Sequence, residues 1–200
     1  MNAVLLTLGV VAALAGSLGH ALDLDVTPDD VDRALSIARA PAKEREQFHA
    51  PYVRQVNTTF IETAEVISEY RRAVLIAEER IIKGDRMFAY SATRVQQALQ
   101  PWKLRVSILA RMRFHPQNNY VGVPNVDIAL PGREAARIGV LKDPILALPT
   151  QKIGDRLPVL GAVVEGVFDA AALGDGTYEF VISLEKKEVG RVTFDLATLQ

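Results

Sequence analysis

Three arginines between residues 105 and 113 could bind an anion together. Arg105, Arg111 and Arg113 occupy odd positions in a run where apolar and polar residues largely alternate, LRVSILARMRF. Side chains two residues apart point to the same face of a β-strand, so the pattern places the three guanidinium groups on one face. Guanidinium groups bind carboxylates and phosphates. An acidic protein or glycan contact is therefore expected here, although the polar face of a half-exposed strand explains the same pattern without a ligand.

Three carboxylates form a second candidate group. Glu62, Glu65 and Glu69 follow one another at steps of three and four residues, which would place them near one face of a helix. Paired carboxylates can perform acid–base or glycosidic chemistry when a cleft holds them together. The charges that follow, from Arg71 to Arg80, favour instead a solvated helix face.

Few other residues are suited to chemistry. Beyond the N-terminal segment only His49 and His115 remain as histidines, and the chain has no cysteine. This composition does not indicate a zinc site, and the chain has no G-x-S-x-G, P-loop or dinucleotide glycine motif. The sequence therefore predicts no catalytic residue, no metal and no cofactor. A hydrolase with a site built from scattered residues, the helix carboxylates or His115, stays an alternative.

Composition narrows the class of protein. The chain has 200 residues, 49% of them hydrophobic and 24% charged, as in an ordinary folded protein. Its 23 basic and 24 acidic residues give a net charge of −1, so no overall field attracts nucleic acid or an anionic membrane. The absence of cysteine excludes disulfides, thiolate metal sites and a lipid-modified cysteine.

The first 21 residues predict a signal peptide. No charged side chain occurs from Met1 to Leu22, and Ala3 to Ala15 form an apolar run of suitable length. The tripeptide Gly19-His20-Ala21 predicts cleavage after Ala21. A basic residue before the apolar run is missing, so an uncleaved membrane anchor or a buried helix remains open. The expected location is periplasmic or secreted, with membrane contact only through an uncleaved N-terminus.

Residues 22–101 predict a helical region of three to four helices. Thr27-Pro28-Asp29-Asp30 predicts a capped helix start, and Pro41 predicts its end. A short helix is expected from Ala42 to His49. The pair Thr59 and Glu62 predicts a capping box for a third helix of about 24 residues that ends near Gly84. A fourth helix is expected from about Arg86 to Leu99.

Residues 102–200 predict an antiparallel β-sandwich of about seven strands. The strands are expected at residues 103–114, 120–130, 159–168, 177–185 and 188–196, with two shorter ones within 136–148 that Pro144 separates. The segment Leu173-Gly174-Asp175-Gly176-Thr177-Tyr178 resembles the corner before a late strand of immunoglobulin-like and fibronectin-type sandwiches. The resemblance covers about 30 residues, and it implies that the Tyr178 hydroxyl bonds to the backbone just upstream. The predicted fold class is α+β: a helical region followed by an immunoglobulin-like sandwich.

These observations suggest an exported, non-enzymatic envelope or secreted protein with a binding or structural module. Its expected partners are a protein or an acidic glycan of the cell envelope, and no nucleic acid. The alternatives are the extracytoplasmic hydrolase with an unrecognised site, and a membrane-anchored subunit of a larger envelope assembly.

Overall fold

The computed structural model describes residues 26–85, 87, 91–115, 120, 122–152, 157–174 and 176–199. The predicted signal peptide, residues 1–21, lies outside the described residues. The described part is a mixed helical and sheet structure, which confirms the predicted α+β class. Its α-helices are α1 (Pro28–Arg39), α2 (Ala42–His49), α3 (Glu69–Ile82), α4 (Ala92–Leu99) and α5 (Ala170–Leu173). Its strands are β1 (Val53–Gln55), β2 (Ile61–Ile67), β3 (Arg105–Arg113), β4 (Val126–Ala129), β5 (Arg137–Leu146), β6 (Val159–Asp169), β7 (Thr177–Leu184) and β8 (Lys187–Asp195).

The start of α1 follows from its first residues. The Thr27 hydroxyl accepts the N–H of Asp30 at 3.3 Å, and the Asp30 carboxylate accepts the N–H of Thr27 at 2.8 Å. This reciprocal pair is a capping box, with Pro28 at the first helical position. The sequence-based predictions of α1 and of α2 are confirmed. For the predicted fourth helix, α4 covers residues 92–99, and residues 86 and 88–90 lie outside the described part.

The prediction of a long third helix is wrong for its first half. Residues 61–67 form strand β2, and α3 begins only after Ser68, whose hydroxyl accepts the N–H of Arg71 at 3.2 Å. A bulge between Ile61 and Thr63 interrupts the alternation of β2, so that its buried residues do not follow a period of two. The apolar positions consequently imitate a helical stripe. The predicted end near Gly84 is confirmed, since α3 ends at Ile82 and Gly84 has a φ of 78°.

Two antiparallel sheets enclose the main apolar core. The large sheet has the order β1-β2-β3-β6-β5, and the small sheet has the order β4-β7-β8. Even-numbered residues of β3, such as Ile108, and of β6, such as Phe168, meet Phe180 and Phe194 of the small sheet in this core. The large sheet combines strands from both sides of residue 101, the predicted boundary between the helical region and the β-sandwich.

Helices α1, α3 and α4 pack on one another, and α3 contacts the outer face of the large sheet through Arg71 with Glu65 and Arg72 with Glu165. Apolar residues of α1, α3 and α4 form a second core, and Phe48 of α2 contacts both cores. This helical core contains Val31, Ala34, Leu35, Ala38, Tyr70, Ala73, Val74, Ala77, Val95 and Leu99.

Two strand predictions between residues 120 and 148 need correction. The predicted strand at 120–130 is reduced to β4, which pairs with β7. The two short strands predicted around Pro144 are one strand, β5, because β5 lies at the edge of its sheet and an edge strand tolerates a missing N–H on its open side.

The C-terminal strands agree with the sequence pattern. Strands β7 and β8 form a hairpin in which Glu185 and Lys186 both have positive φ, 49° and 65°, as a tight hairpin turn requires. The Tyr178 hydroxyl donates a hydrogen bond to the Leu173 carbonyl. The backbone bond that the resemblance implied for Tyr178 is therefore present.

Candidate functional site

The three predicted arginines do not converge on one anion site. Arg111 and Arg113 both contact the Glu62 carboxylate, at 3.2 and 3.5 Å, and both side chains are more than half exposed. Arg105 lies at the other end of β3, opposite Asp169 of β6. The Glu62 carboxylate thus already contacts both exposed arginines, Arg111 and Arg113. The guanidinium group of Arg105 is separated from theirs by most of the strand.

The three predicted carboxylates do not share a helix face. Glu62 and Glu65 lie on β2, whereas Glu69 begins α3. Glu65 accepts a hydrogen bond from Arg71 at 2.7 Å, and Glu69 accepts the backbone N–H of Leu104 at 3.1 Å. Each carboxylate therefore has a different partner, and the geometry gathers no acid–base pair from them.

His49 belongs to a polar network between α2 and α3. Its Nε2 lies 3.0 Å from the Glu78 carboxylate, and its Nδ1 accepts the Nε–H of Arg71 at 3.4 Å. Because Nδ1 is the acceptor, the ring proton belongs on Nε2, which donates to Glu78. His49, Glu78 and Arg45 line a cleft of about 360 Å³. Both ring nitrogens of His49 are nevertheless already hydrogen-bonded within the protein. The other histidine, His115, lies exposed just after β3.

Two neighbouring arginines connect α3 to the large sheet. Arg71 is buried, and it donates to the Glu65 carboxylate and, at 2.6 Å, to the Val66 carbonyl. Arg72 pairs with Glu165 of β6, and its guanidinium group lies 3.6 Å from the centre of the Trp102 ring. Burial lowers the pKa of Arg72, and the Glu165 carboxylate opposes that shift. The sequence pattern assigned both arginines to a solvated face, because it contains no sign of these partners.

The open edge of β5 is the feature best suited to binding. The N–H of Phe114 donates to the Leu160 carbonyl at 2.8 Å, and the N–H of Ala170 donates to the Leu104 carbonyl at 2.9 Å. Even-numbered residues of β6 therefore bond to β3. Its odd-numbered residues must then bond to β5, where their register partners are Gly139, Leu141, Asp143 and Ile145.

It follows that the alternate residues of β5 turn their backbone groups away from the sheet. Val140 and Lys142 each present an N–H and a C=O on the open side, and Pro144 presents a C=O alone. Among the described residues no strand pairs with this side of β5. The edge thus offers two donors and three acceptors to an added strand.

Apolar side chains are exposed along the same strand. Ile138, Leu141 and Leu146 are each about half exposed, and Leu148 just beyond β5 is 67% exposed. These four are half of the large apolar side chains that are exposed in the described part of the chain. Their concentration around one strand differs from the scattered exposure that a monomer normally tolerates.

A basic groove separates β5 from β4 of the small sheet. We define the basic groove by its charged lining residues Arg137, Lys142, Lys186 and Asp127, and its volume is about 600 Å³. Arg137 contacts the two Asp127 carboxylate oxygens at 2.5 and 2.8 Å. Lys142 lies 3.5 Å from the Asn125 amide oxygen. Three cations and one carboxylate leave the groove with a net charge of about +2.

Ser183 and Lys186, which also line the groove, have the S-x-x-K spacing of some acyl-transfer enzymes. A spacing of three brings side chains together on a helix. Here Ser183 belongs to strand β7 and Lys186 to the following turn, so the local backbone does not pair them.

Sequence reasoning missed the β5 edge and the basic groove. Pro144 was the available signal, because proline inside a strand-like run marks an edge strand. No sequence pattern could have indicated the basic groove, because its residues come from three separate segments, β4, β5 and the β7–β8 hairpin.

Neither a metal site nor a membrane span emerges from the described residues. No three His, Asp or Glu side chains in this part of the chain gather closely enough to hold a metal ion. No helix in it has the length and apolar character that crossing a bilayer demands. Comparison of the chain with family models, with curated proteins and with solved structures finds no match.

Proposed function

We propose that this chain is an exported, non-enzymatic envelope or secreted module that binds a protein partner by adding the partner's strand to β5. The observation that carries the proposal is the outward backbone of Val140 and Lys142, with which no strand of the described residues pairs, beside four exposed apolar side chains. Strand addition of this kind obtains affinity from main-chain hydrogen bonds and specificity from alternate side chains.

The sandwich is, in this proposal, immunoglobulin-like. In constant-type immunoglobulin domains, strands A, B, E and D form one sheet and strands C, F and G form the other. Taking β2 as strand A and β3 to β8 as strands B to G gives the same two groups, A-B-E-D and C-F-G. The Tyr178 hydrogen bond near the start of β7, the equivalent of strand F, is a second point of agreement. Helices α3 and α4 are then an insertion between strands A and B.

Two features of β5 favour a specific partner over open-ended aggregation. Proteins often protect exposed edges with proline and lysine, and β5 contains Pro144 and Lys142. Pro144 removes one donor, which limits the length of edge that an incoming strand can use. The exposed Leu141 lies within the part that remains available, so a short strand can gain apolar contact there.

The contacts of the side chains that could have been catalytic support the proposed non-enzymatic role. Glu65, Glu69 and both nitrogens of His49 are engaged in contacts that join helices to strands or helices to each other. Hydrolysis of a glycan or ester by the purified chain would overturn this part of the proposal.

Export rests on the N-terminal sequence, and a fusion tests it. Residues 1–25 are joined to a reporter enzyme that becomes active only outside the cytoplasm, and the new N-terminus is identified by mass spectrometry. Activity with cleavage after Ala21 supports a released protein, and activity without cleavage supports an anchored one. An inactive, cytoplasmic reporter contradicts export.

Hydrogen exchange tests the open edge directly. The amides of Val140 and Lys142 are expected to exchange with solvent faster than those of Leu141 and Asp143, which bond to β6. Equal protection of all four amides in the free chain would contradict the assigned edge geometry.

A displayed peptide library then tests binding at that edge. Selected peptides are expected to protect the Val140 and Lys142 amides and to lose binding to Val140→Pro, which removes one outward donor. Val140→Ala is the matched control, since it shortens the same side chain but keeps the N–H. Binding that survives Val140→Pro, with circular dichroism showing both variants folded, would refute strand addition.

A further inference from the structure

The side chains beside the β5 edge also indicate which residue types an added strand would need. Along any strand of a sheet, successive side chains point to opposite faces, and side chains that are opposite each other on paired strands lie on the same face. An added strand would therefore alternate between the basic groove, where Val140 and Lys142 point, and the outer face, where Leu141 points. The two faces make different chemical demands.

On the groove side the uncompensated charge is positive. Asp127 is already occupied by Arg137, with which it makes two close contacts. Among the described residues, the hydrogen-bond partner of Lys142 is the Asn125 amide oxygen at 3.5 Å, and exposed Lys186 lies in the hairpin turn at the same groove. Two ammonium groups thus face the space that every second side chain of an added strand would enter.

On the outer face the demand is apolar. Leu141 is 51% exposed there. Its cross-strand neighbour on β6 is Glu165, whose carboxylate is paired with Arg72, so an apolar partner side chain would be placed against Leu141 itself. Burial of such a side chain removes apolar surface from water, which favours binding.

We infer that the partner strand is acidic on one side, with Asp or Glu alternating with apolar residues, and that Lys142 and Lys186 select it. This inference rests on the proposed strand addition at β5 and adds the chemistry of the partner to it. An extended acidic segment of a protein satisfies both faces at once: its carboxylates meet the two lysines while its apolar side chains meet Leu141.

Short synthetic peptides provide the test with the full chain. Three probes are compared by fluorescence anisotropy: valine alternating with glutamate, valine alternating with lysine, and a scrambled sequence with the composition of the first. The alternating acidic peptide is expected to bind at least about tenfold more tightly than the basic one, and more weakly as salt increases. The scrambled peptide is expected to lose affinity because its charges and apolar groups no longer separate onto two faces.

A charge reversal identifies the selecting residues. The double variant Lys142→Glu with Lys186→Glu is expected to reverse the preference, so that the basic peptide binds better than the acidic one. Lys43→Glu, on the exposed surface of α2, changes charge away from β5 and is expected to leave the preference unaltered. Circular dichroism of each variant confirms that the fold is retained.

The outcomes separate this inference from the proposed function. If acidic and basic peptides bind equally and Val140→Pro still abolishes binding, the acidic selectivity is wrong and strand addition stands. If no peptide binds, and the chain instead self-associates in a manner that Val140→Pro prevents, the occupant is a second copy and the inference is overturned. If neither peptide binding nor self-association occurs, both proposals fail.

Discussion

Arg71 offers a quantitative test of how the helices are joined to the large sheet. Its side chain is only 2% exposed, and it donates to the Glu65 carboxylate at 2.7 Å and to the Val66 carbonyl at 2.6 Å. The guanidinium group also lies 4.9 Å from the centre of the Tyr52 ring. Arg71→Met keeps the apolar stem and the helical propensity but removes all of these polar contacts.

The expected cost follows from the groups that would be left behind. Removing one member of a buried ion pair costs about 3–5 kcal/mol, because the remaining charge stays buried without a partner. Glu65 is 28% exposed, so water can partly solvate its carboxylate after the substitution. The buried methionine side chain recovers part of the lost packing. We therefore expect the lower end, a loss of about 3 kcal/mol in the free energy of unfolding.

Urea denaturation followed by circular dichroism measures this loss. Arg80→Met on the same helix is the matched control: Arg80 lies 4.0 Å from Asp85, with side chains 46% and 36% exposed. Such an exposed pair contributes little, and a change within about 0.5 kcal/mol is expected. A loss below about 1 kcal/mol for Arg71→Met, or one equal to that of Arg80→Met, would refute the reasoning.

Three further predictions concern single side chains. Tyr178→Phe removes the hydrogen bond to the Leu173 carbonyl and should lower the free energy of unfolding by about 1 kcal/mol, measured in urea; no change would show that the bond contributes nothing. Gly161→Ala would press a methyl group against the Met112 carbonyl oxygen, so a lower thermal midpoint and a cost of about 3 kcal/mol are expected; an unchanged midpoint would contradict this packing. Burial raises the pKa of Asp30, but the hydrogen bonds and ion pair of its carboxylate outweigh this effect and hold the pKa below the ordinary 3.8. The carboxylate thus stabilises the fold at neutral pH, and this contribution is lost as the pH falls through its folded-state pKa, so that Asp30→Asn should cost more at neutral pH than near about pH 3; equal costs would disprove the linkage.

Local interactions explain the elements that could be predicted from the sequence. The capping box at Thr27, the alternation of β3 and the Glu185–Lys186 turn each depend on residues a few positions apart. The same holds for the Tyr178 bond, which spans five residues. Neighbouring residues therefore contain the information for α1, β3 and the β7–β8 hairpin.

Strand β2 shows where that local information ends. Its apolar residues permit either a helix or a strand, because the bulge after Ile61 shifts the buried positions to Ala64 and Val66. The strand forms because β3, some forty residues later, pairs with it, as in the register partners Val66 and Ile108. A pattern of neighbouring residues cannot indicate a pairing strand that lies so far away in the sequence.

The candidate site depends on tertiary structure even more strongly. The sequence by itself determined that Arg105, Arg111 and Arg113 share a strand face, that cysteine chemistry is absent, and that Pro144 interrupts an otherwise regular run. Only the folded arrangement decided that Glu62 occupies two of the arginines and that β5 ends its sheet. Sheet order, and the meeting of β4, β5 and the β7–β8 turn around the basic groove, arise from contacts between segments far apart in the chain, and it is these contacts that leave the β5 backbone open.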